Sequence, residues 1–348
     1  MDTKRLNHIL DLFPEKKVLV FGDFFLDQYL VIDDALREVS IETGLGAHQV
    51  VGVRNSPGAA GVVTSNLSAL DVQVAALGMI GVDGRGYDLK EGLIETGIDI
   101  SPLIESPGIL TPTYTKPMVM DLDGFEREIE RLDIKNRTPL PASIEGTLIE
   151  RLKDLIQDYD GIIIVDHVPE HNFGVITDRV RNEIASLARA YPKKFFIADS
   201  RKHMAYFDNV IVKCNLSEGL AAAQLSPTDE AETDLAAACS KILYQRSQTP
   251  VIITLGSEGI LVNENGEAII IPAMPVEGPI DIVGAGDSTI AGITAALSAG
   301  AALQEAALIG NLVASITIQQ IGKTGTATRG QIKERFKAYR RIVDIGGI

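Results

Sequence analysis

Short apolar runs bounded by turn residues recur along the chain, and longer stretches of helical periodicity separate most of them. Residues 18–21, 73–77, 161–165, 195–198, 210–212 and 251–255 read as buried strands. Residues 60–69, 148–157, 175–190, 232–245, 287–299 and 303–318 read as helices. A strand that is apolar on both faces must be covered on both, and parallel strands need a crossover helix between them. The pattern therefore predicts an α/β fold with a mostly parallel central sheet between two helical layers. Two stretches, at about 27–56 and 110–133, show shorter β-like alternation and no long helix. They are expected to form a small inserted β lid on a single domain spanning 1–348.

Composition narrows the partners. The 47 acidic and 32 basic side chains leave a formal charge of −15, so neither nucleic acid nor an anionic membrane would be attracted. Trp is absent, which removes the best platform for stacking bases. The two cysteines, Cys214 and Cys239, have no metal-ligand spacing and read as reduced core thiols. Residues 1–17 carry charges throughout and show no export signal, and the run 289–303 is too short and too polar to span a bilayer. A cytoplasmic location is the expectation.

The strand ends carry the first functional signal. In open α/β sheets, ligands bind beyond the carboxyl ends of the strands. Here those ends release Gly22-Asp23, Asp166-His167, Asp199-Ser200-Arg201, Lys213-Cys214-Asn215 and Gly256. The sharpest motif follows later, Asp281-Ile282-Val283-Gly284-Ala285-Gly286-Asp287, running into a helical pattern. Gly284 and Gly286 let the backbone approach a ligand, and amides at a helix N-terminus form an anion hole. Asp287 would sit beside that hole as a general base, or would only complement the helix dipole. A first-turn position predicts an ionised, weakly basic carboxylate. Gly284-x-Gly286 is no dinucleotide fingerprint, because the third glycine position is Thr289. Gly322-Lys323-Thr324 is no P-loop end, because the earlier glycine is replaced by Thr317. His167 and His171 are four apart, but Pro169 between them disfavours a shared helical metal site.

The Gly-Ala-Gly-Asp segment, with an Asp three residues before it, resembles the ribokinase/PfkB-type carbohydrate kinases. Residues 18–27 resemble that family's opening strand and its sugar-contacting Asp, which falls on Asp27. Pro57-Gly58-Ala59-Ala60-Gly61 resembles its Gly-rich sugar-binding segment. Asn215-Leu216-Ser217-Glu218 is similar to its Asn-x-x-Glu motif for Mg²⁺ and phosphate, and Thr254-Leu255-Gly256-x-x-Gly259 to its nucleotide-binding turn. Within the family, Arg131-Leu132-Asp133, residues 215–218 and residues 322–328 look most like the heptose-7-phosphate kinases.

The resemblance implies a ribokinase-like three-layer α/β/α fold, ATP as phosphoryl donor, and a sugar or sugar phosphate as acceptor. Asp287 would be the general base, with the amides of Gly284, Ala285 and Gly286 holding transferring charge. Asn215 and Glu218 would hold Mg²⁺ through water, and Thr254, Gly256, Gly259 and Asn311 would line the nucleotide pocket. Asp27, Gly58, Ala59, Arg131 and Asp133 would meet the acceptor. A monovalent cation such as K⁺ near Asp281 and a homodimer through the lid are also implied. Lys213 and Arg201 would add positive charge for the nucleotide.

The chain also departs from the family. A second Gly and then an Asn usually meet the sugar, and those positions are Ala59 and Val62. An Asn lost to Val removes both a donor and an acceptor. Where heptose kinases show an Asp-Tyr-Gly-Lys-Gly-like turn, this chain runs Asp166-His167-Val168-Pro169-Glu170-His171. The acceptor thus stays open. A nucleoside acceptor and a sensor without turnover are the alternatives. Asn215 with Glu218 also fits a plain helix cap, Asp27 a plain turn, and Arg131 with Asp133 an ordinary surface pair.

Overall fold

The computed structural model describes residues 1–120 and 126–346. Residues 121–125 of the expected lid lie outside the described residues. Helix α1 (Thr3–Asp11) leads into β1 (Lys17–Gly22). A long hairpin follows, β2 (Phe24–Val39) and β3 (Gly46–Ala59), then α2 (Ala60–Ala69) and β4 (Gln73–Leu77). Next come β5 (Met79–Gly81), α3 (Gly84–Glu95), β6 (Ile104–Ser106), β7 (Thr113–Met120), β8 (Glu126–Glu128) and β9 (Leu132–Ile134). The middle of the chain alternates α4 (Ala142–Leu155), β10 (Gly161–Asp166), α5 (Asp178–Ala190), β11 (Phe195–Ser200), β12 (Ile211–Asn215), α6 (Leu216–Ala223) and α7 (Glu232–Ser247). It ends with β13 (Val251–Thr254), β14 (Ile260–Glu264), β15 (Glu267–Ile271), α8 (Ala285–Ser298), α9 (Leu303–Thr317) and α10 (Arg329–Gly346).

Eight strands form the central sheet, in the order β15-β14-β13-β12-β11-β10-β1-β4. Six of them are parallel, and β14 and β15 add an antiparallel edge. Strand alternation then divides the core. Val18 and Val20 of β1 face a cluster built with α1, α2, α8 and α9, whereas Leu19 and Phe21 face one built with α4, α5 and α7. Successive side chains point to opposite faces, so near-continuous apolar strands require two helical layers. The three-layer expectation therefore holds. The second sheet, β3-β2-β7-β8 with β9 beside β7, is separate from the central one, and its strands overlap both stretches set apart in the sequence.

Helix α8 is buried on every side from Ser288 to Leu297, as suits a helix apolar all round. It crosses α9 at two glycines: a Cβ on Gly292 would lie 3.3 Å from Gly310 Cα. That close crossing fixes where the N-terminus of α8 points. The sequence periodicity does not distinguish helices α1, α3, α6 and α10 or strands β5, β6, β14 and β15.

Candidate active site

Strands β10 to β13 end on one edge of the sheet, and the first turn of α8 faces them across a cavity of about 680 Å³. His167, Asp199, Arg201, Lys213 and Asn215 line it from the strand side. Gly284, Ala285, Gly286 and Asp287 line it from α8, and Glu218, Thr254, Gly256, Gly259 and Asn311 are also in its wall. Most residues expected for nucleotide and phosphoryl chemistry thus meet in one place, although they span residues 215–311 of the sequence.

The α8 turn needs its glycines. Gly284 is left-handed (φ 78°), and a Cβ there would come 2.6 Å from Thr324 Cγ2 and 3.4 Å from Val62 Cγ1. Val62, the departure from the family pattern, therefore packs under the loop instead of offering polar atoms to a ligand. The Ala285 amide donates to Ile282 O at 3.1 Å. Among the described residues, no backbone carbonyl accepts from the amides of Gly286 or Asp287. The expected anion hole is thus altered at one position: Ala285 is engaged in the turn, whereas Gly284, Gly286 and Asp287 keep amides without a backbone acceptor among the described residues.

Lys213 and Asp199 stand opposite each other in the β11–β12 register, with Nζ 2.6 Å from Oδ2 and both side chains buried. Burial works against both charges, yet the Asp199 carboxyl lies well below the usual range because Lys213 and His167 stabilise its anion. Asp199 in turn carries the Lys213 ammonium above its ordinary value despite burial. The ammonium lies against Gly286, where a Cβ would be 2.8 Å from Nζ. Asp287 corrects the sequence reading of its ionisation. Burial and the nearby Asp199 push its carboxyl up, against His167, Lys213 and Arg201, so it is a stronger base than a helix N-terminus alone would make it.

His167 and Asp199 carry signals the motifs did not reveal. His167 is 5% exposed, and its Nε2 is 3.9 Å from Asp199 Oδ1. Asp23 holds this loop: its buried carboxylate accepts from the amides of His167 (3.0 Å), Val168 (3.1 Å) and Val175 (2.8 Å). Burial and the charge of Asp166 push the Asp23 carboxyl up to about 6. A polar residue directly after a strand was the only sequence signal for these positions. His171 instead meets Asp178 at 2.9 Å on the surface, so the two histidines share no site.

The residues expected to meet an acceptor lie on the second sheet or next to it. Asp27 is buried on β2, 3.5 Å from Lys116 Nζ, and a Cβ on Gly58 would sit 3.1 Å from its Cγ. Burial raises the Asp27 carboxyl, while Lys116, Arg131 and Arg201 act to lower it. Arg201 therefore acts electrostatically on both Asp27 and Asp287. Ala59 keeps a backbone that favours glycine (φ 50°, ψ −116°) and caps α2.

Other expected site residues are engaged with neighbouring side chains or with the backbone. Arg131 grips Asp133 in a bidentate pair (2.8 and 3.0 Å) and stacks over Tyr114 at 4.6 Å; Tyr114 lies opposite both Asp27 and Asp133 in the strand register, so the pair borders Asp27. Asn215 and Glu218 form a reciprocal helix cap, each amide bonded to the other's side chain at 2.9 Å. Leu216 and Ser217 lie on α6 and do not line the cavity, nor does Asp281. The Asp281 carboxylate instead accepts from the amides of Val283 (3.0 Å) and Gly322 (3.3 Å). Asn311 donates to Ile271 O and Pro272 O at 2.9 and 3.2 Å, clamping the strand edge while facing the cavity.

Residues 157–329 match the model of the pfkB family carbohydrate kinases, and they contain the whole cavity wall. The chain carries a PfkB-type carbohydrate kinase domain. Its relatives include the bifunctional protein HldE of Trichlorobacter lovleyi, 30% identical over 337 residues, which cover 95% of this chain and 65% of that protein. HldE of Wolinella succinogenes is 29% identical over 319 residues, covering 91% of this chain and 64% of that one. The chain thus spans just under two thirds of the length of these relatives. Among solved structures, the Escherichia coli phosphofructokinase-2 in complex with potassium superposes with a TM-score of 0.72 at 16% identity, covering 93% and 99% of the two chains. Arabidopsis thaliana ribokinase complexed with ribose and ATP gives 0.66 at 17% identity, covering 92% and 98%. These likenesses place the PfkB-type chain in the ribokinase-like fold. No helix among its described residues is long and apolar enough to cross a membrane.

Proposed function

We propose that this PfkB-type chain is one kinase domain with a β lid that transfers the γ-phosphoryl group of ATP to a hydroxyl of a sugar or sugar phosphate. The observation that carries the reading is the convergence of Asp287, the Gly286 and Asp287 amides, Lys213 and the Asn215–Glu218 turn on one cavity. Asp287 takes the acceptor's proton, and its raised carboxyl makes it better suited to that step. The amides and the Lys213 ammonium stabilise charge on the transferring group, and positioning does the rest. The O–H bond of the acceptor breaks, its oxygen bonds to phosphorus, and ADP leaves.

The residues fit a magnesium ion held through water. The site offers oxygen donors, and the helix cap engages one Glu218 carboxylate oxygen, leaving the other outside it. When bound, Mg²⁺ would neutralise phosphate charge that a chain of net charge −15 otherwise repels. Asp27 and Gly58 orient the acceptor beneath the lid. The relatives named HldE and the motifs at 131–133 and 322–328 favour a heptose 7-phosphate. The resemblance adds K⁺ near Asp281, where the carboxylate already organises the loop. Exposed Val39, Leu45 and Val53 on the lid suit a homodimer contact. The same chemistry suits a cytoplasmic enzyme.

The test is a Mg·ATP turnover screen with heptose 7-phosphate, fructose 6-phosphate, ribose and nucleosides. Turnover is expected with a sugar phosphate, and Asp287→Asn should lower it by at least about 10²-fold. Near-wild-type turnover in that variant, or nucleotide affinity that survives removal of Mg²⁺, contradicts the proposal.

A further inference from the structure

We propose that His167, Asp199 and Asp287 bind a borderline divalent cation such as Zn²⁺, at a site separate from the Asn215 and Glu218 oxygens. One donor atom from each of the three residues lies within 4.8 Å of the other two. They come from three elements: the turn after β10, the end of β11 and the first turn of α8. Their placement is fixed without any ligand. Asp23 holds the His167 amide at 3.0 Å, and Lys213 holds Asp199 Oδ2 at 2.6 Å.

The imidazole is the independent pointer. His167 is 5% exposed and lines the cavity, yet Nδ1 has no partner and Nε2 is 3.9 Å from Asp199 Oδ1, beyond hydrogen-bond length. Buried polar groups are nearly always satisfied, so an unsatisfied one on a cavity wall calls for a ligand. The nitrogen selects the class. Mg²⁺ and Ca²⁺ prefer all-oxygen sets, whereas Zn²⁺ and Co²⁺ accept imidazole readily. Three protein donors with an open fourth position are a geometry zinc commonly adopts. Lys213 opposes the ion, but it engages Oδ2 of Asp199 and leaves Oδ1, on the His167 side, available. Burial opposes charge on His167, yet Asp199 and Asp287 raise its imidazole above the ordinary value, so the ion must displace that proton. The two carboxylates and one ammonium then leave one net negative charge beside the exposed Arg201. One consequence rests on the kinase reading: the ion would occupy the carboxylate that takes the acceptor's proton, so Zn²⁺ would inhibit transfer that Mg²⁺ supports.

The test titrates the untagged, nucleotide-free chain with Co²⁺ and follows its visible d–d absorption. One Co²⁺ per chain is expected, displaced by Zn²⁺ and indifferent to excess Mg²⁺. His167→Gln should weaken Co²⁺ at least about 10-fold, and Glu218→Gln should leave it unchanged. Equal affinity in wild type and His167→Gln, or a loss confined to Glu218→Gln, overturns the proposal. A second measurement needs no variant. The chain has five histidines, and Zn²⁺ should shift the ring resonances of the buried His167. Shifts confined to the other histidines overturn it too. Because binding is read without nucleotide, failure here leaves the kinase reading standing. A chain that binds Co²⁺ but transfers no phosphoryl group fails the kinase reading alone.

Discussion

Replacing Lys213 by Met tests whether the buried Lys213–Asp199 pair organises this site. At 2.6 Å and an effective dielectric of about 20, two unit charges attract by about 6 kcal/mol. Burying each ion costs several kcal/mol, so the pair itself adds little net stability. Removing one partner is different, because the other charge stays in a site that cannot solvate it. Lys213→Met should therefore destabilise the fold by about 3–5 kcal/mol. Adding Asp199→Asn removes the orphaned charge and should recover most of that loss. Urea unfolding of the wild type, both single variants and the double variant at pH 7 gives the coupling energy. The pH window follows from both shifts. The Asp199 carboxyl is depressed, so its contribution is present above the unfolded value of about 3.9 and fades as pH falls. The Lys213 ammonium is raised, so its contribution is present below about 10.4 and fades as pH rises past its folded value. The gap between wild type and Lys213→Met should thus persist between those limits and narrow outside them. A coupling energy below about 1 kcal/mol would refute the reasoning, because exposed, screened pairs give values that small.

Two further perturbations address the loops. Gly284→Ala places a methyl 2.6 Å from Thr324 Cγ2 on a left-handed backbone, and should cost about 1–3 kcal/mol in thermal or urea unfolding while lowering turnover. An unchanged melting temperature would mean the loop adapts freely. Asp23, raised to about 6, binds its proton more tightly when folded, so its contribution is full below the unfolded value and is lost as pH rises through about 6. Between pH 5 and 7.5 the wild type should lose about 1 kcal/mol that Asp23→Asn does not, read as the difference between their urea midpoints. Parallel pH profiles would contradict that assignment.

Much of the phosphoryl site was legible because the chemistry sits at strand ends and helix starts, where local patterns are distinctive. The Gly284–Asp287 turn needs glycine for its backbone and Asp beside its amides, and both requirements show in four residues. For Asn215 and Glu218 the sequence offered a magnesium site and, as the alternative, a helix cap; the structure shows the cap, since three-residue spacing alone satisfies both amides. The acceptor side was harder. Arg131 and Asp133 fit a motif and bond each other, but only the strand register puts Asp133 across Tyr114 from Asp27. Ala59 and Val62 read only as departures. The structure gives Ala59 a glycine-like backbone and puts Val62 beneath the Gly284 turn.

The sequence by itself determined the three layers, because strands apolar on both faces leave no other way to bury them, and it located the turn that carries Asp287. Tertiary structure alone decided which distant side chains share that turn's cavity. For His167, Asp199 and Lys213 the local signal is only a polar residue at or just after a strand end, and their mutual contacts arise from strand register and the crossing of α8 over α9. It also decided the ionisation of Asp287. A helix N-terminus predicts a lowered carboxyl, whereas burial beside Asp199 raises it. The dipole is a property of the local chain, but desolvation depends on everything packed around it.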